Sequence, residues 1–579
     1  MHLLRFDARG ALGLTEHKDG RLPPYAILSH TWATDNDEPT FNDIKSGLGT
    51  SKKGYEKVMF CGRQAQKDDL QDFWVDSCCI NRPNYTELSE AINSVFRCGT
   101  CANVNMPESN ALGLASAHGH ETTVKLLLQH GAKTQPVRLD SGGHYQSAFH
   151  SASQHGHHKV AEILLDHGVD VDAPDKTTDP DRDGRTALQV ASESGFEHMV
   201  NFLLDRGANT NAVASDFTAL MWACREGHEG VVKLLLDRGA DANAQCGDNH
   251  SNALSAACMR GRETTARLLL DRGADVNAKG RPYGNALGAA CYRGNETIVR
   301  LLINYGADVN AQSGEYGSAL GAACCRGYET IARLLIDNGA DVNAQDGEYG
   351  NALEAACYAE GNVSLVWLLI DHGADVNAKS GRYSTALGVA CYRGNEATVR
   401  QLICHGADIN AQGGKYGNAL GSACSQGHET IARILIDNGA DINAQGGKCG
   451  SALGAACYRG YKTIARLLID NGADVNAQNG DYGNALGAAC YQGNEAIVRL
   501  LINDGADINA LDCDHGRALQ VACSYGGPAV VRLLLEHGAD VNARDQRHGT
   551  ALDATRRGFL PSKEQEDVAR MLRELGAVD

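Results

Sequence analysis

"GNALGAACYRGNETIVRLLINYGADVNAQ", residues 284–312, returns almost unchanged as "GNALGAACYQGNEAIVRLLINDGADINAL", residues 483–511. The Ala-Leu pair near its start recurs at Ala253, Ala286, Ala319, Ala352, Ala386, Ala419, Ala452, Ala485, Ala518 and Ala551. The interval is 33 residues, with a single 34 between Ala352 and Ala386. Less even copies stand at Ala111, Ala148 (followed by Phe149), Ala187 and Ala219. One unit of this length cannot bury its own apolar faces, whereas stacked units can. The period therefore specifies a one-dimensional array that needs polar ends.

The residues of one unit have physical roles. Asn285 is a short polar side chain placed to accept a backbone N–H and cap a first helix. Its equivalents are Asn110, Ser147, Thr186, Thr218, Asn252, Ser318, Asn351, Thr385, Asn418, Ser451, Asn484 and Thr550, and only Arg517 breaks the pattern. Leu287, Ala289 and Ala290 are small or slender enough to let neighbouring helices approach. Gly294 ends the first helix. A second helix runs through Ile298, Val299, Leu301, Leu302 and Ile303, and Gly306 closes it. "ADVNAQSGEYG" then forms a hairpin finger.

A two-helix unit of this length, with "GHETTVKLLLQHGA" (119–132), "GHEGVVKLLLDRGADANA" (227–244) and the many "GADVNA" tails, resembles the ankyrin repeat. The resemblance implies a mostly α chain: an ankyrin solenoid of about fourteen units over 101–579. A charged capping repeat is expected at about 550–579. It also implies a protein partner held on a concave face built from first helices and finger tips.

Charge and cysteines narrow the function further. The formal net charge of −18 argues against nucleic acid or an anionic membrane as the main partner. No apolar run reaches a membrane span, and no secretory leader opens the sequence, so an intracellular, cytoplasmic protein is expected. The 20 cysteines could suggest an oxidised scaffold. However, Cys224, Cys258, Cys291, Cys324, Cys357, Cys391, Cys424, Cys457, Cys490 and Cys523 hold one position in successive units. That places neighbours too far apart for a disulfide and reads as a column of small buried side chains.

Positions that vary within a fixed framework are the candidate partner contacts. After the framework cysteine come Tyr292, Tyr358, Tyr392, Tyr458 and Tyr491, then Arg260, Arg293, Arg326, Arg393 and Arg459. The fingers present Tyr283, Tyr316, Tyr349, Tyr383, Tyr416 and Tyr482. Tyr and Arg are enriched at protein hot spots, so these columns are expected to face a partner. The bland alternatives are finger tyrosines that pack on one another and arginines paired with acids of the next unit. No catalytic, cofactor or metal residue is assigned.

Residues 1–97 do not repeat, and a separate segment is expected over 1–100. "YAILSHTW" (25–32) and "FWVDSCCI" (73–80) read as strands, and 54–66 and 87–97 as helices, which implies a small parallel α/β segment. "PPYAILSHTW", "FWVDSCCIN" and "TELSEAINSVFR" resemble the fungal heterokaryon-incompatibility (HET) domain in order and spacing. That resemblance implies a Toll/interleukin-receptor-like fold and a role in cell death after non-self recognition. It also implies, as an alternative, NAD cleavage by a glutamate under the array's control; the other alternative is a plain ankyrin adaptor with a vestigial N-terminus. The family's usual continuation is replaced from Cys98 by "CGTCANVN", so the segment is expected to be shortened. Asp76 and Glu87 are the acids to test there. Three further patterns fail: "DPDRDG" (179–184) has Val190 where a calcium loop needs Glu, "GLGTSKKG" (47–54) lacks the spacing of a phosphate loop, and Cys98–Cys101 has no second cysteine pair for zinc.

Overall fold

The computed structural model describes residues 2–6, 12–16, 25–28, 44, 58–59, 63 and 72–75. It then describes 111–134, 147–175, 184–246, 252–280, 284–311, 317–345, 347, 350–359, 362–379, 383–477, 483–510, 516–544 and 549–578. Two compact units divide the chain, Met1–Asp248 and Asn249–Asp579.

The first unit contains strands β1 (His2–Phe6), β2 (Leu12–Glu16), β3 (Tyr25–Leu28) and β4 (Asp72–Val75). Their order is β2-β1-β4-β3. β3 and β4 pair in parallel, with Tyr25 opposite Asp72, as the α/β reading requires. The N-terminal hairpin was not expected: β1 pairs antiparallel with both β2 and β4, so the sheet is mixed rather than parallel. "HLLRF" and "LGLTE" are too short and too weakly alternating to stand out from sequence. They widen the two predicted strands to a four-stranded sheet with Leu4 fully buried. Of the predicted helix over 54–66, Val58, Met59 and Arg63 are described and helical. The helix predicted over 87–97, Asp76 and Glu87 lie outside the described residues.

Fourteen helix pairs follow among the described residues, four in the first unit and ten in the second. Within each unit, first helices pack on first helices and second on second. The polar caps work as their chemistry demands. Asn285 accepts from the Gly288 N–H at 2.8 Å, and Ser147, Thr186, Thr218, Asn252, Ser318, Asn351, Thr385, Asn418, Ser451, Asn484 and Thr550 do the same in their helices. Gly294 closes its helix at φ +78°, where a side chain would be strained and would also collide with the Tyr328 ring.

Leu287, Ala290, Cys291, Val299 and Leu302 are fully buried, and the same positions fill the core in neighbouring repeats. All ten framework cysteines are buried. Burial pushes up the thiols of Cys258, Cys291, Cys324, Cys357, Cys391, Cys424, Cys457 and Cys523, the last to about 12, so these are inert packing groups rather than thiolates.

The "GADVNA" tails have a role that the sequence reading did not give them. Asn343 Nδ2 donates to the Gly373 carbonyl of the next repeat at 2.9 Å, and Asn343 Oδ1 accepts from the Asp375 N–H at 2.7 Å. Within its own tail, Asp341 accepts from the Asn343 N–H at 2.9 Å, which sets the side chain's direction. The same bridge repeats at Asn277, Asn310, Asn377, Asn410, Asn443, Asn476 and Asn509. At Asn542 the partners are the Gly576 carbonyl and the Val578 N–H. The tails are thus a polar ladder that sets repeat against repeat. Asn343→Ala removes both cross-repeat bonds. It should cost about 1–2 kcal/mol, read as a lower urea midpoint of the full chain, while the exposed Arg333→Gln leaves the midpoint in place.

The repeat that lacks a cap is also the irregular one. Arg517 makes no side-chain cap, its guanidinium instead donates to the Asn509 carbonyl, and the short helix Ala518–Val521 widens into a π-turn over Ala522–Gly526.

Candidate functional site

Except where the buried Ser425 and Ser524 follow it, the framework cysteine is the last buried residue of its first helix, so the two residues after it emerge together at the helix end. Tyr292, Tyr358, Tyr392, Tyr458 and Tyr491 are half-buried there. Arg293, Arg326 and Arg459 are exposed, and Arg393 is half-buried. The contacts of Arg293, Arg326 and Arg393 run back to the preceding repeat. Arg293 Nε donates to the Met259 carbonyl at 3.0 Å. The Arg326 guanidinium lies 4.9 Å over the Tyr292 ring, and that of Arg393 lies 4.7 Å over Tyr358. In each case the arginine leans back on the residue that follows the framework cysteine of the preceding repeat. The ring holds the cation by its quadrupole while leaving the guanidinium edge accessible.

Among the described residues, tyrosines form two aromatic groups. In one, finger Tyr383 lies 4.7 Å from Tyr392, and Tyr392 stacks at 5.5 Å on finger Tyr416, with Lys415 over the Tyr416 ring at 5.1 Å. These finger rings therefore pack on a first helix rather than only on each other. In the other, Tyr458, Tyr491, Tyr525 and Phe559 follow one another with ring separations of 6.1, 4.6 and 5.3 Å. Arg459 sits by Tyr458 at 5.9 Å. Offset rings at these spacings are mutually attractive. Phe559, at the end of the row, is 79% exposed. Tyr283, Tyr316, Tyr349 and Tyr482 lie outside the described residues.

Tyr525 and Phe559 were missed because Tyr525 stands one residue later than the framework position, where Ser524 sits. The π-turn lets it reach Tyr491. Gly526-Gly527-Pro528 was the available signal of a local irregularity. Trp367 was also passed over. It is 49% exposed on a second helix, edge-on to His405 at 4.6 Å.

The histidine turns serve as links between repeats. His157 Nε2 bonds the Ala117 carbonyl at 3.0 Å, and His228 Nε2 the Glu193 carbonyl at 2.9 Å. Among the described residues, no group of three or more His, Cys, Asp or Glu is placed to hold a metal. Among the same residues, no helix is long and apolar enough to cross a membrane.

The described residues thus bring aromatic rings and guanidinium groups together at the ends of the first helices. The match to a protein-family model agrees with the architecture. The family described as "Ankyrin repeats (3 copies)" matches residues 84–175, 172–246, 215–280, 254–346, 287–380, 353–446 and 453–545. The human ASB11 ankyrin repeat domain is similar at 25% identity with a TM-score of 0.35, over 40% of this chain and 99% of that domain. The vegetative incompatibility protein HET-E-1 of Podospora anserina is 51% identical over 98 residues, which are 17% of this chain and 7% of that protein. The chain thus spans a small fraction of that relative's length. The family matches run through well over half of the sequence and through the capped helix pairs and asparagine-bridged tails described above, so the chain belongs to the ankyrin-repeat family.

Proposed function

We propose that the chain is a protein-interaction scaffold whose docking surface is the concave face, where Tyr and Arg emerge from the first helices and fingers. One observation carries this reading. The row Tyr458–Tyr491–Tyr525–Phe559 is a continuous aromatic strip that ends in an exposed ring, flanked by Arg459. Aromatic and Arg side chains of this kind dominate binding energy at protein interfaces. The likeness to a vegetative incompatibility protein supports a place in fungal non-self recognition or death signalling. A column of cysteines one repeat apart, too far for pairing with one another, suits a reducing, intracellular setting.

The test is co-purification of partners from cells expressing the full chain. A Tyr458→Ser/Tyr491→Ser/Tyr525→Ser variant should recover them at roughly one-tenth the yield or less. An Arg300→Gln variant on a second helix should match the unmodified chain. Equal recovery by the tyrosine variant, with unchanged circular dichroism, would remove the assignment.

A further inference from the structure

Arg260, Arg293 and Arg326 end three successive first helices, and all three are exposed. Their helices, Ala253–Met259, Ala286–Arg293 and Ala319–Arg326, contain no Asp or Glu. The acids nearest in sequence open the second helices, and each is taken by that helix's own arginine. Glu263 pairs with Arg267 at 3.2 Å, Glu296 with Arg300 at 2.6 Å, and Glu329 with Arg333 at 3.1 Å. Among the described residues, none of the three helix-end arginines has a carboxylate partner. A chain of net charge −18 thus neutralises the arginines of these second helices and leaves a row of three cations on its first. The row is also braced, since Arg293 is tied to the Met259 carbonyl and Arg326 lies over the Tyr292 ring. It stops at the next repeat, where Ala359 replaces Arg.

We propose that Arg260, Arg293 and Arg326 bind an extended segment of a partner protein that carries Asp or Glu at every third residue. The proposal rests on the docking role proposed above and adds the partner's chemistry. Charge complementarity selects an acidic occupant, because a guanidinium held over a ring presents its outer N–H edge to a carboxylate. Geometry selects the spacing. Adjacent packed helices stand about 8–10 Å apart, and three residues of an extended strand cover about 10 Å. A helical segment rises only about 1.5 Å per residue and would need its acids about two turns apart.

The experiment uses the full chain and fluorescein-labelled Gly-Ser peptides carrying three Glu, either at i, i+3 and i+6 or side by side. The spaced peptide should bind about fivefold tighter or more than its isomer. Its affinity should fall steeply with salt. An Arg260→Gln/Arg293→Gln/Arg326→Gln variant should lose about tenfold. Equal affinity of the two peptides, an unaffected triple variant, or tighter binding of single-stranded RNA at the same ionic strength would each overturn the proposal. If the tyrosine variant sheds its cellular partners while the spaced peptide does not bind, the docking surface stands and the acidic occupant falls. If both experiments fail, both assignments fall.

Discussion

Gly421→Ala lowers the stability of the array by about 2–3 kcal/mol, although alanine is the better helix residue by about 1 kcal/mol. Gly421 lies in the first turn of the helix Ala419–Gln426. A Cβ there would stand 2.2 Å from the Tyr416 carbonyl oxygen of the finger that precedes it. Gly388 and Gly454 meet the Tyr383 and Cys449 carbonyls at 2.7 and 2.3 Å in the same way. The obstacle is backbone, which cannot turn aside like a side chain. Tyr416 is further held by its stack on Tyr392, and the Gly413 N–H to Gly417 carbonyl bond at 2.8 Å closes the finger. The corresponding position holds Ser255 in another repeat, so the helix itself does not demand glycine. Ser255→Ala is the control and should shift stability by less than about 0.5 kcal/mol. Urea unfolding and amide-exchange protection over 419–437 read the difference. A gain of stability in Gly421→Ala would show that propensity outweighs the finger carbonyl.

Acidification from pH 7 to 5 loosens the repeat at 147–166, by about 2 kcal/mol at pH 5 and about 3 near pH 4. The cause is His150, which is almost wholly buried. Its Nε2 lies 2.9 Å from the Arg185 carbonyl, and its Nδ1 lies 2.6 Å from Ser147 Oγ. A carbonyl can only accept, so Nε2 carries the proton and Nδ1 takes the Ser147 hydroxyl, which is the neutral ring. Burial pushes its pKa from 6.5 down to about 4, against the pull of the Arg185 and Ala173 carbonyls. Asp175, at 3.9 Å, would favour the charged ring but does not outweigh the loss of water.

The unfolded chain therefore takes up a proton below pH 6.5 that the folded chain refuses until about pH 4. Stability is full above 6.5 and drains away between those values. His120 and His157 are also lowered, chiefly by burial and then by neighbouring histidines and, for His157, against the Ala117 carbonyl, so they add to the same trend. Exchange protection of the 148–166 amides, corrected for intrinsic rates, should fall as stated. In His150→Gln the residual slope should be only that of the other two histidines. An unchanged slope would mean that His150 titrates normally.

Much of the repeat was legible because its instructions are local. Asn285 caps from three residues away, Gly294 turns a chain that no other residue turns as easily, and Cys291 fills a space of fixed size. Each depends on neighbours within a turn or two, so sequence spacing is enough. The tails were only half legible. Their Asp-Asn signature was visible as a pattern, but the bridge from Asn343 to Gly373 and Asp375 joins residues about one repeat apart. The candidate surface was legible as composition and not as contact. Tyr and Arg columns could be named, yet spacing could not say that Arg326 rests on Tyr292 behind it rather than on an acid ahead. The hairpin β1–β2 was missed for a related reason, since its partner β4 is far along the chain.

The sequence by itself determined a stacked array of two-helix repeats, its caps and its buried cysteine column, because periodic apolar faces can only be hidden by neighbours of the same kind. Tertiary structure alone decided which side chains meet across repeats: the finger carbonyl over Gly421, the braced arginines, and Tyr525 brought into the aromatic row by a π-turn. Those meetings depend on the distance and rotation between consecutive units, which arise from packing.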